Sequence, residues 1–525
     1  MRRALASSPG RWLTPVAVVS AAALVGAGTV YASVFAAGPL VQVADHPFPG
    51  TSTACDQVIA RSEALGSVNY PDAEVEPYVT ADPRNPDHLI ASFQQDRWND
   101  GGANGLIAAV SNDGGAHWSL ASAQPRFTVC EGATSSEPGP FQRASDPWVS
   151  IGPDGIAYSI AIAFNANGPA FGGASGVLVS RSTDGGQTWQ PPVSAELDTS
   201  TTVLNDKESV TADPLRAGTA YAVWDRLVSP NSHANPDAFT FTRAFRGPAM
   251  FSETTDGGVT WSQGRVVFDP GQNNQTIGNQ IVVPTAGPAR GVLIDGFALI
   301  VNRAFGNPHR VSPFSVAVIR STDGGATFSG PIVVSPLIDA PVSIAGHAVR
   351  TGDILPGFAA GPEGNLYAVW QDGRFSPTGA AKIAFSMSTD GGLHWSTPIR
   401  VDQSPGDAPA FTPYVHVASD GTVGVTYYDL ENATAARPGL TDEFIVHCHP
   451  ATDDCANPAS WAAGGETRLS TTGSFDMTTA PDAGGYFTGD YEGLTSSGTT
   501  FDSFFVMARP IATRGATDPF ATTAG

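Results

Sequence analysis

Ser111-Asn-Asp-Gly-Gly-Ala-His-Trp118 is one of five copies of a single eight-residue phrase, Ser/Thr-x-Asp-Gly-Gly-x-x-aromatic. The others run Ser182 to Trp189, Thr254 to Trp261, Ser321 to Phe328 and Ser388 to Trp395. Their aspartates, Asp113, Asp184, Asp256, Asp323 and Asp390, are spaced by 71, 72, 67 and 67 residues. A period that regular means one supersecondary unit used repeatedly, so the chain reads as a repeat architecture. Each phrase sits between an alternating apolar run and a second short extended run, which is the pattern of a hairpin. Paired glycines supply positive φ in the turn, the carboxylate accepts from amides that face no partner strand, and the closing aromatic packs on the sheet. The alternating carboxylates of a calcium loop are missing, so the aspartates are structural and no metal is expected.

A looser phrase recurs between the boxes: an acidic or polar start, a short strand, a turn, and a strand ending near an aromatic and often an arginine. It begins at Glu76, Asp146, Glu208, Gln280, Asp353, Thr412 and Asp490. Two strands from this phrase and two from the boxed hairpin make a four-stranded antiparallel unit, a propeller blade. The expected fold is all-β: a single β-propeller over residues 74–510 with its Asp-box hairpins between strands 3 and 4, of seven blades, or six if the terminal segments pack outside. Residues 38–73 precede the first blade and hold a possible ring-closing strand around Gly38-Pro-Leu-Val-Gln-Val, which would remove an exposed edge. Residues 511–525 read as a flexible tail.

Residues 1–37 read as a signal peptide or an N-terminal membrane anchor. Arg2, Arg3 and Arg11 precede an apolar run from Leu13 to Ala37, and cleavage follows Ala32 or Ala36 unless the run stays in the bilayer. The protein is therefore expected to be secreted or extracellular. Four cysteines in an exported chain suggest two disulfides, Cys55 to Cys130 and Cys448 to Cys455. A formal charge of -22 with no basic stripe argues against nucleic acid as a partner.

The boxes are strand 3 to 4 loops of nearly constant length, whereas strand 2 to 3 connections vary from 16 residues, Arg97 to Asp113, to 30, Arg226 to Asp256. Variable loops on a fixed scaffold are where binding is built, which places the site on the face away from the boxes. That face collects Arg97, Arg226, Arg303 and Arg374 with Trp98 as substrate-binding candidates, and Glu76, Asp146, Asp353, Asp490 and Tyr491 as catalytic ones. Glu208, Glu492 and Tyr428 lie nearby. Guanidinium groups clamp carboxylates, carboxyl groups act as acid and base, and aromatic faces stack on sugars. The bland alternatives are ion pairs repeated with the blade, acidic strand starts that cap unpaired amides, and Trp224 and Trp370 as core. The insertion Ser229 to Pro248 is a lid or a partner surface.

With its five boxes in register, the chain resembles the Asp-box, or bacterial-neuraminidase repeat, proteins, and more narrowly exported sialidase-like propellers, over roughly Glu74 to Arg509. The resemblance implies an exo-acting glycoside hydrolase, or a noncatalytic propeller that binds glycan or protein at a cell surface. It implies a glycan ligand, no cofactor and a monomer, with membrane attachment only through the N-terminal segment. Sialidases use three arginines on the substrate carboxylate, a tyrosine activated by a glutamate, and an aspartate as acid/base. Their first arginine sits in a Phe/Tyr-Arg-Ile-Pro phrase, where this chain reads Glu76-Pro-Tyr-Val. An arginine triad here would come from Arg97, Arg226, Arg303 or Arg374.

Overall fold

Alternating apolar runs on either side of each Asp box fold as antiparallel strands in the computed structural model, which describes residues 34–44, 52–135, 138–166, 173–229, 246–301, 314–509 and 516–525. The first set of four is Val75–Asp82, Asn85–Arg97, Ala103–Ser111 and Ser119–Leu120. A single pair, Ala103 with Ala144, joins it to a second set of Arg143–Ile151, Ala157–Phe164, Ser175–Ser182 and Val193–Asp198. A third set comprises Val203–Ala212, Ala220–Val228, Ala249–Thr254 and Arg265–Phe268, and a fourth Asn274–Val282, Leu293–Val301, Phe314–Ser321 and Ile332–Leu337. Two more follow, from Gly357–Ala360 to Ile399–Arg400 and from Ala410–Val417 to Glu466–Arg468. In the last set Gly493–Ser497, Thr500–Ala508 and Thr517–Ala524 are completed from the other end of the chain by Val41–Gln42.

The innermost strand of each set touches that of the next, and Gly493–Ser497 returns to Val75–Asp82, so the sets close into a ring. The chain is an all-β propeller of antiparallel sheets. Residues 516–525, the described part of the expected flexible tail at 511–525, are ordered. Thr517–Ala524 is a paired strand, bonded along Thr500–Ala508 from Ala508 with Thr517 to Phe501 with Ala524. Its Thr/Ala-rich sequence has too weak an apolar alternation to announce a strand, and it is held by the two edges that it meets. The N-terminal strand does close the ring: the Gly38 amide donates to the Thr523 carbonyl at 2.8 Å and that of Val43 to Pro519 at 2.9 Å. Further out, Phe35 stacks on His447 with ring centroids 3.7 Å apart. Residues 1–33 lie outside the described part, where no helix is long and apolar enough to cross a membrane.

Each Asp box is a hydrogen-bonded knot. In the first, the Asp113 Oδ1 accepts from Ser111 Oγ at 3.0 Å and from the His117 amide at 2.9 Å, while the Gly115 amide donates to Ser111 Oγ at 3.0 Å. Gly114 and Gly115 take φ of 64° and 80°. Thr260 donates its amide and hydroxyl to Asp256, which holds that carboxyl down at about 2. The second box glycine also lets adjoining sets meet: a Cβ on Gly325 would lie 2.5 Å from the buried Phe251 ring of the preceding set.

Both disulfides are formed as expected, Cys55 to Cys130 and Cys448 to Cys455. The first ties the Thr53–Ala64 helix to the connection between the first two sets, across 75 residues. Loop-closure entropy assigns such a link about 4–5 kcal/mol. The Cys55→Ala, Cys130→Ala double variant should therefore unfold at distinctly lower denaturant than the oxidised parent. Equal midpoints would show that the link adds nothing to the folded state.

Candidate functional site

The innermost strands share a device that shapes the axis. Their ladders slip between Val75 and Tyr78, Ser145 and Trp148, Asp206 and Ser209, Ile277 and Gln280, and Phe411 and Tyr414. Within each slip one residue takes positive φ: Glu76 at 53°, Asp146 at 55°, Lys207 at 48°, Gly278 at 70° and Thr412 at 51°. A β-bulge re-aims the side chain that it carries, and left-handed backbone at non-glycine residues costs about 1–3 kcal/mol each and clusters at functional sites. The bulges occur in five of the innermost strands, at or before the middle of each, toward the end of the ring opposite the Asp boxes.

Charge fills one side of this bulge circle. Lys207 Nζ donates to Asp490 Oδ2 at 2.7 Å, Asp146 Oδ1 at 2.8 Å and Glu76 Oε1 at 3.2 Å. Behind it, Gln94 donates to Glu76 and, at 3.0 Å, to Ser145 Oγ, and Arg97 Nη1 donates to Gln94 Oε1 at 2.8 Å. Arg350 grips Asp490 bidentately, its Nε 2.9 Å from Oδ1. Phe487 lies between the two guanidinium groups, 4.7 Å from Arg97 and 4.5 Å from Arg350. Arg350 arrives on a small three-stranded sheet, Val342–Ile344, His347–Arg350 and Tyr486–Phe487, built from two excursions out of the ring.

Small residues occupy the other side, with Gly278, Gly352 and Thr412 facing the charged arc, and they leave a cavity of about 40 Å³. Trp148, Tyr414 and Tyr491 wall it, with Leu355, Pro356 and Pro413, while Lys207, Glu208, Asn279, Gln280 and Asp490 supply its polar groups. Tyr78 stacks on Trp148 at 3.6 Å, and its hydroxyl meets that of Tyr414 at 2.9 Å, so an aromatic layer closes the cavity from the box side.

Opposed electrostatics mark the carboxyls. Burial disfavours the Asp490 charge, but Arg350 and Lys207 outweigh it and hold this carboxyl far below the ordinary range. Asp353, flanked by cavity residues Gly352 and Leu355, is pushed up to about 8 by burial, then by Asp339 and Asp490. Burial raises Glu76 to about 7 against the pull of Lys207. For Lys207 itself burial opposes the charge, and Asp146, Asp490 and Glu76 together raise its pKa well above the usual value.

Of the residues expected at the site, Glu76, Asp146, Asp490 and Tyr491 converge with Asp353 beside them; Tyr491 donates to the Pro147 carbonyl at 3.0 Å. Arg97 is fully buried behind Glu76. Trp98 is not a stacking platform: it is buried at 0% exposure, donates to Asn104 and lies under the Arg143 guanidinium, because its strand turns it into the sheet packing. Arg226 pairs bidentately with Asp198 of the preceding set, and Arg374 with Asp372 of its own, so both are spent on carboxylates of the scaffold and neither lines the cavity. Arg303 and residues 230–245 of the long insertion lie outside the described residues. Trp224 and Trp370 are core, as the bland reading holds. Glu208 caps an amide, accepting from Ile162 N at 2.5 Å.

Lys207 and Arg350 are the members of this cluster that sequence reasoning missed. Aligning Lys207-Glu-Ser-Val-Thr-Ala-Asp with Glu76-Pro-Tyr-Val-Thr-Ala-Asp puts Lys207, not Glu208, on the bulge. Among the described residues no group of three or more His, Cys, Asp or Glu is placed to hold a metal.

Residues 180–191 match the BNR/Asp-box repeat. The chain carries that repeat. None of the curated proteins matches it. Its fold is similar to a crystal structure of an unknown-function protein from Dyadobacter fermentans DSM 18053, at 13% identity over 87% of this chain and 97% of that one, TM-score 0.43. It is also similar to the Hadza microbial sialidase Hz136, at 19% identity over 68% of this chain and 64% of that one, TM-score 0.43. A third similar structure is an alpha-L-arabinanase of Penicillium chrysogenum with arabinobiose, at 14% identity over 73% and 93% of the two chains, TM-score 0.43.

Proposed function

We propose that this Asp-box protein is an exported, exo-acting glycoside hydrolase working at the bulge end of its ring, which we count as seven blades, one per four-stranded set. The observation that carries the reading is a pair of unlike carboxyls at the bulge end: Asp490 lines the cavity in the grip of Arg350 and Lys207, and Asp353 adjoins the lining Gly352 with Asp339 as its neighbour. Asp353 keeps its proton at neutral pH while Asp490 keeps its charge, and groups pushed apart in this way take the acid and base roles. In this reading Asp353 protonates the glycosidic oxygen as the bond to the anomeric carbon breaks, and a water then adds to that carbon and returns its proton to Asp353. Asp490, fixed by Arg350, sets its negative charge against the positive charge that develops on the sugar. Glu76 and Asp146 act through Lys207, holding its ammonium against Asp490. Tyr491 stays a phenol, because burial and then Glu76 and Asp146 raise its pKa well above the ordinary value. The two disulfides fit an oxidising, extracellular setting.

The competing reading is a noncatalytic glycan-binding propeller, in which the carboxylates around Lys207 serve only to hold its ammonium. Release of para-nitrophenol from a panel of aryl glycosides by the purified protein separates them. Turnover is expected, with one descending limb in kcat/KM near pH 8 as Asp353 loses its proton and no acid limb from Asp490. Absence of product with every sugar would discard the hydrolase and leave the binding propeller.

A further inference from the structure

Building on the reading of the bulge-end cavity as a glycan site, we infer that its ligand is an uncharged sugar offering hydroxyl donors, and that sialic and uronic acids are excluded. A substrate carboxylate needs a cation with donors to spare. An ammonium has three N–H groups, and those of Lys207 face three carboxylate acceptors within 3.2 Å. Arg350 directs Nε and Nη2 to Asp490 and Nη1 to the Ala483 carbonyl at 3.2 Å. Arg97, the remaining described cation of the cluster, is shut behind Glu76 with 2% of its side chain exposed. The described cluster thus sets Glu76, Asp146 and Asp490 as carboxylates against cations already consumed by them.

Behind the cavity wall two buried oxygens lack a hydrogen-bond partner. Asn279 lines the cavity at 2% exposure; its Nδ2 reaches Asp295 at 3.3 Å and its Oδ1 has no partner. Glu208 lines it too, one oxygen taken by the Ile162 amide and Oε2 unpartnered. A buried carbonyl without a donor is costly, and a sugar hydroxyl supplies that donor; the acceptors select a hydroxylated ligand, and it is the occupied cations that turn away an acid sugar. Trp148 and Tyr414 present aromatic surface for the apolar face of the same ring.

The test compares para-nitrophenyl glucoside, galactoside and arabinoside with the matched glucuronide and a sialoside, all with the full exported protein. Like-charge juxtaposition costs several kcal/mol, so kcat/KM for a neutral member should exceed the glucuronide by at least about 100-fold. In Asn279→Ala, KM for that neutral sugar should rise about tenfold with kcat little changed, since the lost acceptor serves binding. Preference for the glucuronide or sialoside overturns the inference and leaves the hydrolase standing. If no aryl glycoside turns over, the hydrolase fails, and equilibrium binding of free glucose, galactose and arabinose against glucuronic and sialic acid decides. Binding of a neutral sugar alone upholds the inference, whereas binding of an acid, or of no sugar, overturns it.

Discussion

Replacing Lys207 by methionine is expected to lower stability by several kcal/mol. The substitution keeps the apolar stem and removes the charge that Glu76, Asp146 and Asp490 share, leaving buried carboxylates with too few partners. Breaking a buried ion pair from one side costs about 3–5 kcal/mol. With an unfolding entropy near 2.1 cal/mol/K per residue, a chain of this size should lose roughly 3–5 °C in Tm. The sign of the pH dependence follows from the carboxyls. The wild-type lysine has its pKa raised in the fold, so its contribution is complete at neutral pH, falls as pH rises beyond the ordinary lysine value and is gone above the raised one. In the variant the uncompensated carboxyls hold protons more tightly folded than unfolded. Its deficit should be largest near pH 8 and shrink toward pH 4, and Asp146→Asn in the same chain should recover part of it. Thermal unfolding across that range checks this, and parallel Tm curves for variant and parent would refute the shared-ammonium account.

Asp353→Asn is expected to remove turnover while sparing the fold. Asparagine matches the shape of the protonated acid and relieves its conflict with Asp339, but it cannot deliver a proton to a leaving group. Loss of a general acid typically costs about 10²–10⁴ in rate. The drop should fall on kcat with KM nearly constant, and the descending limb near pH 8 should vanish from whatever activity remains. Asp490→Asn should be equally inactive for a different reason, the missing charge, and should also leave Arg350 without its partner. An Asp353→Asn enzyme with full kcat and an unchanged limb would move the acid role to another group. Glu76 and Asp146 are held to neighbours that the fold supplies, so their variants should show mixed losses of stability and rate.

The repeat was legible because its signals are local. An Asp box closes its hydrogen bonds within eight residues, so Asp113 and its four counterparts announce hairpins wherever they occur, and their regular spacing announces the ring. The disulfide pairing was legible from compartment and position. The closing strand at 41–42 showed as an echo of other outer strands, whereas its partner Thr517–Ala524 did not, because its residues are small and its order comes from both neighbours.

By itself the sequence determined that this protein is a ring of Asp-box sheets, that acidic side chains gather at the end opposite the boxes, and that Asp146, Asp353 and Asp490 are among them. Tertiary structure decided what those groups do. A one-residue bulge exchanges the face on which a side chain falls, which is why Lys207 rather than Glu208 meets Glu76, Asp146 and Asp490. Arg350 comes to Asp490 from an excursion 140 residues away in the chain. Whether an arginine is free to clamp a substrate or is spent on Asp198 or Asp372 depends on pairing in space, and pairing decides the charge that a ligand meets.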